Sequence, residues 1–294
     1  MSVTFGDFVA IRGASVCLSG HQVTGLAGVN GAGKTTLIHA LMGLTPPSAG
    51  RVYSSNGLRS VAYCPDTPAF EPWLDASEVL EQSLAVARSD RSVHSSHEGR
   101  AMVLKRVGLA EVGRRRVGGF SRGMKQRLGI AAAVVLDPEI LILDEPTSAL
   151  DPLGREDVLG LISELGRAMH VVFSSHLLDD IEKVANSLIV LDRGEVVFTG
   201  LLSDFVNAPA AQLAITVGGD VRLLLAAFEA RGIGCSVDPG APGTLCVPES
   251  LRHRVFEVLA AHPDQIRSVE SSQESLQSAF VRLIRARAAD GDDT

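Results

Sequence analysis

The chain of 294 residues has few aromatic side chains (4%, with a single Trp) and no excess of positive charge. Its 27 Lys and Arg residues are outnumbered by 34 Asp and Glu residues, which gives a formal net charge of −7. General nucleic-acid binding requires a strongly basic surface, so this balance argues against a nucleic-acid partner. The basic run Arg114–Arg116 is therefore interpreted as a solvated face.

Long apolar runs are also missing. No run approaches the roughly 18–20 residues of a membrane-spanning helix, and the longest candidate, Ile130–Leu143, is interrupted by Asp137, Pro138 and Glu139. The first residues lack the basic and apolar regions of a secretory signal. We therefore expect a chain that is soluble when isolated, with any membrane contact made through a partner.

The four cysteines do not form a metal-binding or disulfide pattern. Cys17, Cys64, Cys235 and Cys246 are scattered along the chain, without the C-x-x-C spacing of zinc or redox sites. We expect them to be small core residues in a reducing compartment.

The strongest positive signal is a phosphate-binding loop. Residues 28–36, Gly-Val-Asn-Gly-Ala-Gly-Lys-Thr-Thr, fit the pattern G-x-x-x-x-G-K-[ST] without a mismatch. The loop follows Val23–Ala27, predicted to be a buried strand, and precedes a predicted helix over Thr35–Leu44. Glycines let backbone N–H groups surround phosphate oxygens, and the helix N-terminus adds partial positive charge. Lys34 is expected to reach the β- and γ-phosphates, and Thr35 to bind Mg²⁺.

A second signal is an apolar strand that ends in two acids. Ile140–Leu143 is followed directly by Asp144 and Glu145. A buried parallel strand would deliver both carboxylates to the edge of the sheet where ligands bind in open α/β folds. Asp144 is predicted to hold Mg²⁺, and Glu145 to orient or deprotonate the attacking water. Either acid alone could instead cap the next helix.

The segment Phe120–Arg127, Phe-Ser-Arg-Gly-Met-Lys-Gln-Arg, resembles the signature segment of ABC-type ATPases. Its distances from the phosphate loop and from the acidic strand are also similar to those of that family. The chain resembles the ATP-binding subunit of a bacterial ABC transporter, most closely the subfamily that pairs with separate ABC-2-type permease chains and carries a C-terminal extension. The motif-bearing resemblance covers roughly residues 1–205.

This resemblance implies a homodimer that holds ATP between its two copies. Ser121 and Gly123 would face the γ-phosphate bound by the opposite subunit, and Asp151, in Ser-Ala-Leu-Asp, would couple the two sites. His176 would sense the γ-phosphate and position the water beside Glu145.

Three further positions are open to more than one interpretation. Phe5 lies where the family stacks an aromatic ring on adenine, but Phe8 competes with it, and either could be a core residue. Asp66 stands where the family has Gln or Glu, so it keeps an oxygen for Mg²⁺ with a shorter reach. Trp73 could be a permease contact or a core residue of the helical insert.

Together these signals predict ATP and Mg²⁺ as ligands and define a set of site residues. The predicted catalytic residues are Lys34, Glu145 and His176. The predicted nucleotide-binding residues are Phe5, Gly28, Asn30, Gly31, Ala32, Gly33, Lys34, Thr35, Thr36, Ser121, Arg122, Gly123 and Asp151. The predicted metal ligands are Thr35, Asp66 and Asp144.

The predicted fold class is α/β: a P-loop ATPase domain with a mostly parallel sheet over residues 1–205 and a helical insert at about 66–135. A small α+β domain follows over 206–290, and a disordered tail over 291–294. The predicted function is ATP hydrolysis that powers transport, in the export direction by analogy, from the cytoplasmic face of the membrane. The alternatives are a soluble ABC ATPase acting in translation, repair or regulation, an ATP-binding regulator without turnover, and a metabolic kinase.

Overall fold

The computed structural model describes residues 1–18, 20, 22–53, 60–87, 94–148, 150–206, 212–238, 241–272 and 275–291. The chain divides into two compact units, Met1–Leu202 and Ser203–Thr294. This division comes slightly earlier than the boundary predicted after residue 205. The stretch 207–210, Asn-Ala-Pro-Ala, whose composition predicts a linker, and the tail residues 292–294 lie outside the described residues.

The first unit begins with an antiparallel hairpin, β1 (Val3–Phe5) and β2 (Phe8–Ile11), which the sequence patterns did not predict. The strands of the main sheet are β3 (Val23–Ala27), β4 (Val61–Cys64), β5 (Ile140–Leu143), β6 (His170–Ser175), β7 (Ser187–Asp192) and β8 (Glu195–Leu201). Their order across the sheet is β4-β5-β6-β3-β7-β8, and β8 is antiparallel to β7 while the other pairs are parallel. Every residue of β3 and β6 is buried, as expected for strands covered on both faces.

The helices described in this unit are α1 (Lys34–Leu41), α2 (Ala76–Ala87), α3 (His97–Arg106), α4 (Arg122–Val134), α5 (Pro152–Leu165) and α6 (Leu178–Val184). Side-chain caps fix where several of them begin. Ser96, Ser121 and Asp151 each accept a hydrogen bond from a backbone N–H in the first turn of α3, α4 and α5. Asp75 and Glu78 form a reciprocal capping box at the start of α2.

The predicted helical insert contains α2, α3 and α4, with 3₁₀ turns at Ala110–Val112 and Val117–Gly119. Helix α4 approaches the end of β4 very closely at Gly129. A Cβ added there would lie 2.5 Å from Pro68 Cγ and 2.8 Å from Cys64 Sγ. Glycine therefore allows α4 to pack against the segment that carries Asp66.

The second unit contains α7 from Ser203 onward and a four-stranded antiparallel sheet. Its elements are α7 (Leu202–Val206), β9 (Gln212–Val217), α8 (Val221–Glu229), β10 (Ser236–Asp238), β11 (Ala241–Pro248), α9 (Arg252–Ala260), β12 (Ile266–Ser272) and α10 (Leu276–Gly291). The strand order is β10-β11-β9-β12. From β9 to β12 the chain has the β-α-β-β-α-β connectivity of a ferredoxin-like fold. Alternate residues of β9 are buried in a core that includes Phe228 and Val255.

The predicted α/β class, with a mostly parallel core sheet and a small C-terminal α+β unit, is confirmed. Several predicted bounds were wrong. The helix expected to reach Leu44 ends at Leu41, and Gly43 follows with a positive φ of 73°. Gly291, expected in the disordered tail, is the last residue of α10.

Candidate nucleotide-binding and hydrolysis site

Four of the predicted segments follow four neighbouring parallel strands: the phosphate loop follows β3, Asp66 follows β4, Asp144 and Glu145 follow β5, and His176 follows β6. Ala27 of β3 pairs with Ser175 of β6, and Leu143 of β5 pairs with Cys64 of β4. The residues that follow these strand ends therefore meet at one edge of the sheet. This is the edge where open α/β folds bind ligands.

The phosphate loop has the backbone conformation that its glycines permit. Gly31 and Gly33 have φ values of 80° and 104°, in the left-handed region that favours glycine. A Cβ added at Gly28 would lie 2.6 Å from the Leu191 carbonyl oxygen, so at Gly28 the requirement is space. Helix α1 begins at Lys34, which places the helix N-terminus directly after the loop.

Lys34 connects the phosphate loop with the acidic strand. Its side chain is nearly buried, with a relative exposure of 9%. The ammonium donates a hydrogen bond to the Gly28 carbonyl at 2.8 Å and lies 3.6 Å from Oε1 of Glu145. A positive charge is therefore held between the loop and the predicted base.

Asp144 and Thr35 form the oxygen pair expected of a magnesium site. The Thr35 hydroxyl donates to Oδ2 of Asp144 at 3.0 Å, and Asp144 is buried. The other carboxylate oxygen, Oδ1, accepts from the Ser174 hydroxyl at 2.6 Å. A hydroxyl and a fixed carboxylate match the oxygen ligands that Mg²⁺ prefers, so these residues fit the metal.

Glu145 is held in an uncommon backbone conformation. Its φ is 45°, and its backbone N–H donates to the Ser174 hydroxyl oxygen at 2.8 Å. The Nδ1 atom of His176 lies 2.7 Å from Oε2 of Glu145. An ionised carboxylate only accepts hydrogen bonds, so Nδ1 carries the hydrogen of this bond. The two residues predicted to organise the attacking water are thus in direct contact.

Asp66 is exposed and lies in the segment after β4. The pKa values of two neighbouring side chains, Tyr63 and Cys64, are raised at this end of β4. Burial raises the pKa of Tyr63 to about 12, and the Asp144 and Asp66 carboxylates add to the shift. Burial, with the same two carboxylates, also raises the pKa of the Cys64 thiol to about 12. Asp66 therefore contributes to the same negative field as Asp144.

The signature and Asp151 segments lie at helix N-termini. Ser121 caps α4 by accepting from the Met124 N–H at 3.3 Å, and Asp151 caps α5 by accepting from the Gly154 N–H at 2.8 Å. In the parts of the chain that the structure describes, no hydrogen bond or ion pair joins Ser121, Arg122 or Asp151 to the phosphate loop. One copy of the chain therefore brings together only part of the predicted set.

The core interpretation of three aromatic residues was wrong. Phe5 is 53% exposed, Phe8 is 66% exposed and Trp73 is 61% exposed. All three rings are available for contact with a ligand or another chain.

Ser174, which joins both acidic positions, was not among the predicted site residues. It lies near the end of β6, is fully buried, donates to Asp144 and accepts from Glu145. A polar residue at the end of an otherwise apolar strand was the available signal. Thr147, Arg155 and Asp180 were also missed, because Thr147 lies in a turn and the other two lie on α5 and α6, where no strand pattern marks them.

Comparison with known proteins agrees with this site. The ABC transporter family model matches residues 11–148. The uncharacterized ABC transporter ATP-binding protein YxlF of Bacillus subtilis is 40% identical over 199 residues, which are 66% of this chain and 67% of YxlF. The chain belongs to the ATP-binding proteins of ABC transporters. Its activity is therefore ATP hydrolysis coupled to transport.

Two further similar proteins are a resistance ATP-binding protein and an ATP-binding cassette that was solved as a dimer. The linearmycin resistance ATP-binding protein LnrL of Bacillus subtilis is 30% identical over 238 residues, 76% of each chain. The ATP-binding cassette MJ0796, solved as a dimer in a post-hydrolysis state with ADP and Pi, is 25% identical with a TM-score of 0.59. That match covers 68% of this chain and 95% of MJ0796. Across the described residues, no helix combines the length and apolarity needed to cross a membrane.

Proposed function

We propose that two copies of this chain enclose two ATP molecules and that their closure and hydrolysis drive export through a separate ABC-2-type permease. Each ATP would be held by the phosphate loop of one copy and by Ser121–Gly123 of the other. This division is supported by the absence of hydrogen bonds and ion pairs between the two segments among the described residues. The dimeric MJ0796 structure and the resistance role in the name of LnrL support the dimer and the export direction.

The observation that carries the hydrolytic role is the position of Glu145. Its carboxylate has His176 Nδ1 at 2.7 Å on one oxygen and Lys34 Nζ at 3.6 Å from the other. A carboxylate held in this way can accept a proton from a water aligned with the γ-phosphate. His176 restrains the carboxylate, while Lys34 and the N-terminus of α1 provide positive charge for the phosphates.

Thr35 and Asp144 would hold Mg²⁺, and Asp66 would act through its water shell. When bound, the ion neutralises charge on the transferred phosphoryl group. Phe5 would stack on the adenine ring, since it occupies the position where ABC ATPases place an aromatic residue and is exposed at the end of β1; Phe8, exposed at the start of β2, is the competing ring.

Replacement of Glu145 tests the catalytic assignment. Glu145→Gln keeps the shape of the side chain but removes the base, so ATP should bind and a closed dimer should accumulate while steady-state hydrolysis is lost. Phosphate release and light scattering with ATP measure the two effects. Glu164→Gln is a matched control, since this carboxylate is 54% exposed on α5 and should leave both measurements unchanged. Undiminished hydrolysis by Glu145→Gln would remove Glu145 from the catalytic role.

A mixing experiment tests the shared site. Lys34→Ala disables the phosphate loop, and Gly123→Asp places a negative charge where the γ-phosphate of the opposite copy should lie. Each variant alone should be inactive, whereas a mixture forms heterodimers with one intact composite site. Recovery of about a quarter of the wild-type activity is expected, since half of the dimers would carry one site of two. No recovery in proven heterodimers would contradict the composite site.

The permease contact is proposed to include Trp73, which is 61% exposed in the helical insert. Through this contact the chain would lie at the cytoplasmic face of the membrane. An ABC-2-type permease co-expressed with this chain should be captured by the wild type and more weakly by Trp73→Ala. Tyr53→Ala is the matched control, because Tyr53 is 85% exposed outside the insert. Equal capture by all three proteins would exclude Trp73 from the interface.

A further inference from the structure

A buried carboxylate that is not one of the predicted site residues joins three segments that carry such residues. Asp180 lies in α6 and is fully buried. Its Oδ2 accepts from the Thr147 hydroxyl at 2.7 Å, and its Oδ1 accepts from Arg155 Nε at 2.5 Å. Asp180 is thus an ion-paired and hydrogen-bonded group at the meeting point of two helices and a loop.

Each member of this cluster lies close in sequence to a residue with a proposed role at the nucleotide. Thr147 is in the turn after Glu145, which the Ser148 N–H closes by donating to the Glu145 carbonyl at 3.0 Å. Arg155 lies one helical turn after Asp151, and its N–H donates to the Asp151 carbonyl at 2.9 Å. Asp180 lies in the first turn of α6, and its N–H donates to the Leu177 carbonyl next to His176 at 3.1 Å.

We infer that Asp180 is a positioning residue that sets Glu145, Asp151 and His176 relative to one another. It does not touch the proposed reacting atoms and acts through Thr147 and Arg155. The two hydrogen bonds to a carboxylate are charge-assisted, and burial strengthens them. The inference rests on the proposed roles of Glu145, Asp151 and His176.

The cluster should affect turnover more than nucleotide binding. The phosphate loop follows β3 and is held by its own contacts, such as that of Lys34 with Gly28. Loss of the Asp180 bonds would shift the base and the histidine by fractions of an ångström, and small misplacements of catalytic groups strongly reduce rates. Hence kcat should fall while the Kd of ATP stays constant.

The test compares Asp180→Ala, Asp180→Asn and Glu164→Ala. Asp180→Ala removes both acceptors, and kcat should fall by about tenfold to a hundredfold. Asp180→Asn keeps an oxygen for Arg155 and should give an intermediate kcat, so it also tests the inference if the alanine variant does not fold. Glu164→Ala breaks an exposed ion pair between Glu164 on α5, the helix that also carries Arg155, and Arg106 on α3, and should have the wild-type kcat.

For each variant, the Kd and the binding stoichiometry of a fluorescent ATP analogue are measured together with kcat. Unchanged binding with kcat in the order wild type, Asn, Ala would support the inference. Wild-type kcat in both folded Asp180 variants would overturn it, as would a kcat that falls only in proportion to binding stoichiometry. Glu145→Gln, assayed alongside, separates failure of the proposed catalytic site from failure of the positioning role. Full activity of Glu145→Gln would contradict the proposed site. An inactive Glu145→Gln together with fully active Asp180 variants would contradict only the positioning role.

Discussion

Ser174→Ala should be the most damaging single-atom change near the acidic strand. The mutation removes a fully buried hydroxyl that donates to Asp144 Oδ1 at 2.6 Å and accepts from the Glu145 N–H at 2.8 Å. A hydrogen bond to a charged group contributes about 1.5–3 kcal/mol, and a buried N–H without a partner costs about 1–3 kcal/mol. The free energy of unfolding of the first unit should therefore fall by roughly 2.5–6 kcal/mol.

The neighbouring serine provides the control. Ser175 is also fully buried, but its hydroxyl exchanges two hydrogen bonds with the Leu177 backbone and touches no carboxylate. Ser175→Ala also leaves a backbone N–H, that of Leu177, without its partner, but it removes only a neutral hydrogen bond, so it should cost about 1–1.5 kcal/mol less than Ser174→Ala. The urea concentration at which the first unit is half unfolded can be measured by pulse-labelling hydrogen exchange on peptides from β5 and β6. If Ser174→Ala were no more destabilising than Ser175→Ala, the assignment of Ser174 as the bridge between the two acids would be refuted.

Gly28→Ala should destabilise the phosphate loop and weaken ATP binding, because its Cβ would lie 2.6 Å from a backbone oxygen. Gly160→Ala, in open space on α5, should instead raise the free energy of unfolding by about 0.5–1 kcal/mol, and calorimetry compares the two. The pKa of the Cys64 thiol is raised from 9.0 to about 12, so its contribution to stability is present below pH 9 and is lost as pH rises from 9 to 12. Cys64→Ala should make the unfolding free energy fall less steeply over that range, and an unchanged slope would contradict this. At pH 8, a thiol reagent should modify exposed Cys17 rapidly and spare buried Cys64 in the folded protein.

The features that could be predicted from the sequence are those that only a few residue types can form. β3 begins and ends where expected because a parallel strand that is buried on both faces requires a largely apolar run. The phosphate loop and the acid pair were predictable because only a few residue types permit their backbone and charge. Their meeting at one sheet edge follows from the parallel register.

Other features depend on contacts between residues far apart in sequence. The hairpin β1–β2 was missed because Phe5 and Phe8 face solvent and break the expected apolar alternation. Strand β10 begins only at Ser236, because Ile233, the apolar residue before it, is buried in the core of the second unit and does not pair. The partners of Asp180 could not be found from spacing, since they lie 25 and 33 residues away.

The place of β3 in the sheet has a consequence for synthesis of the chain. The strand that leads into the phosphate loop is made early, yet its two neighbours, β6 and β7, are made about 150 residues later. Pairings this distant are slow to form. On a ribosome, the nucleotide pocket would stay open until Val190 had left the exit tunnel. Nucleotide would then protect full-length protein against proteolysis while giving no protection to shorter nascent chains.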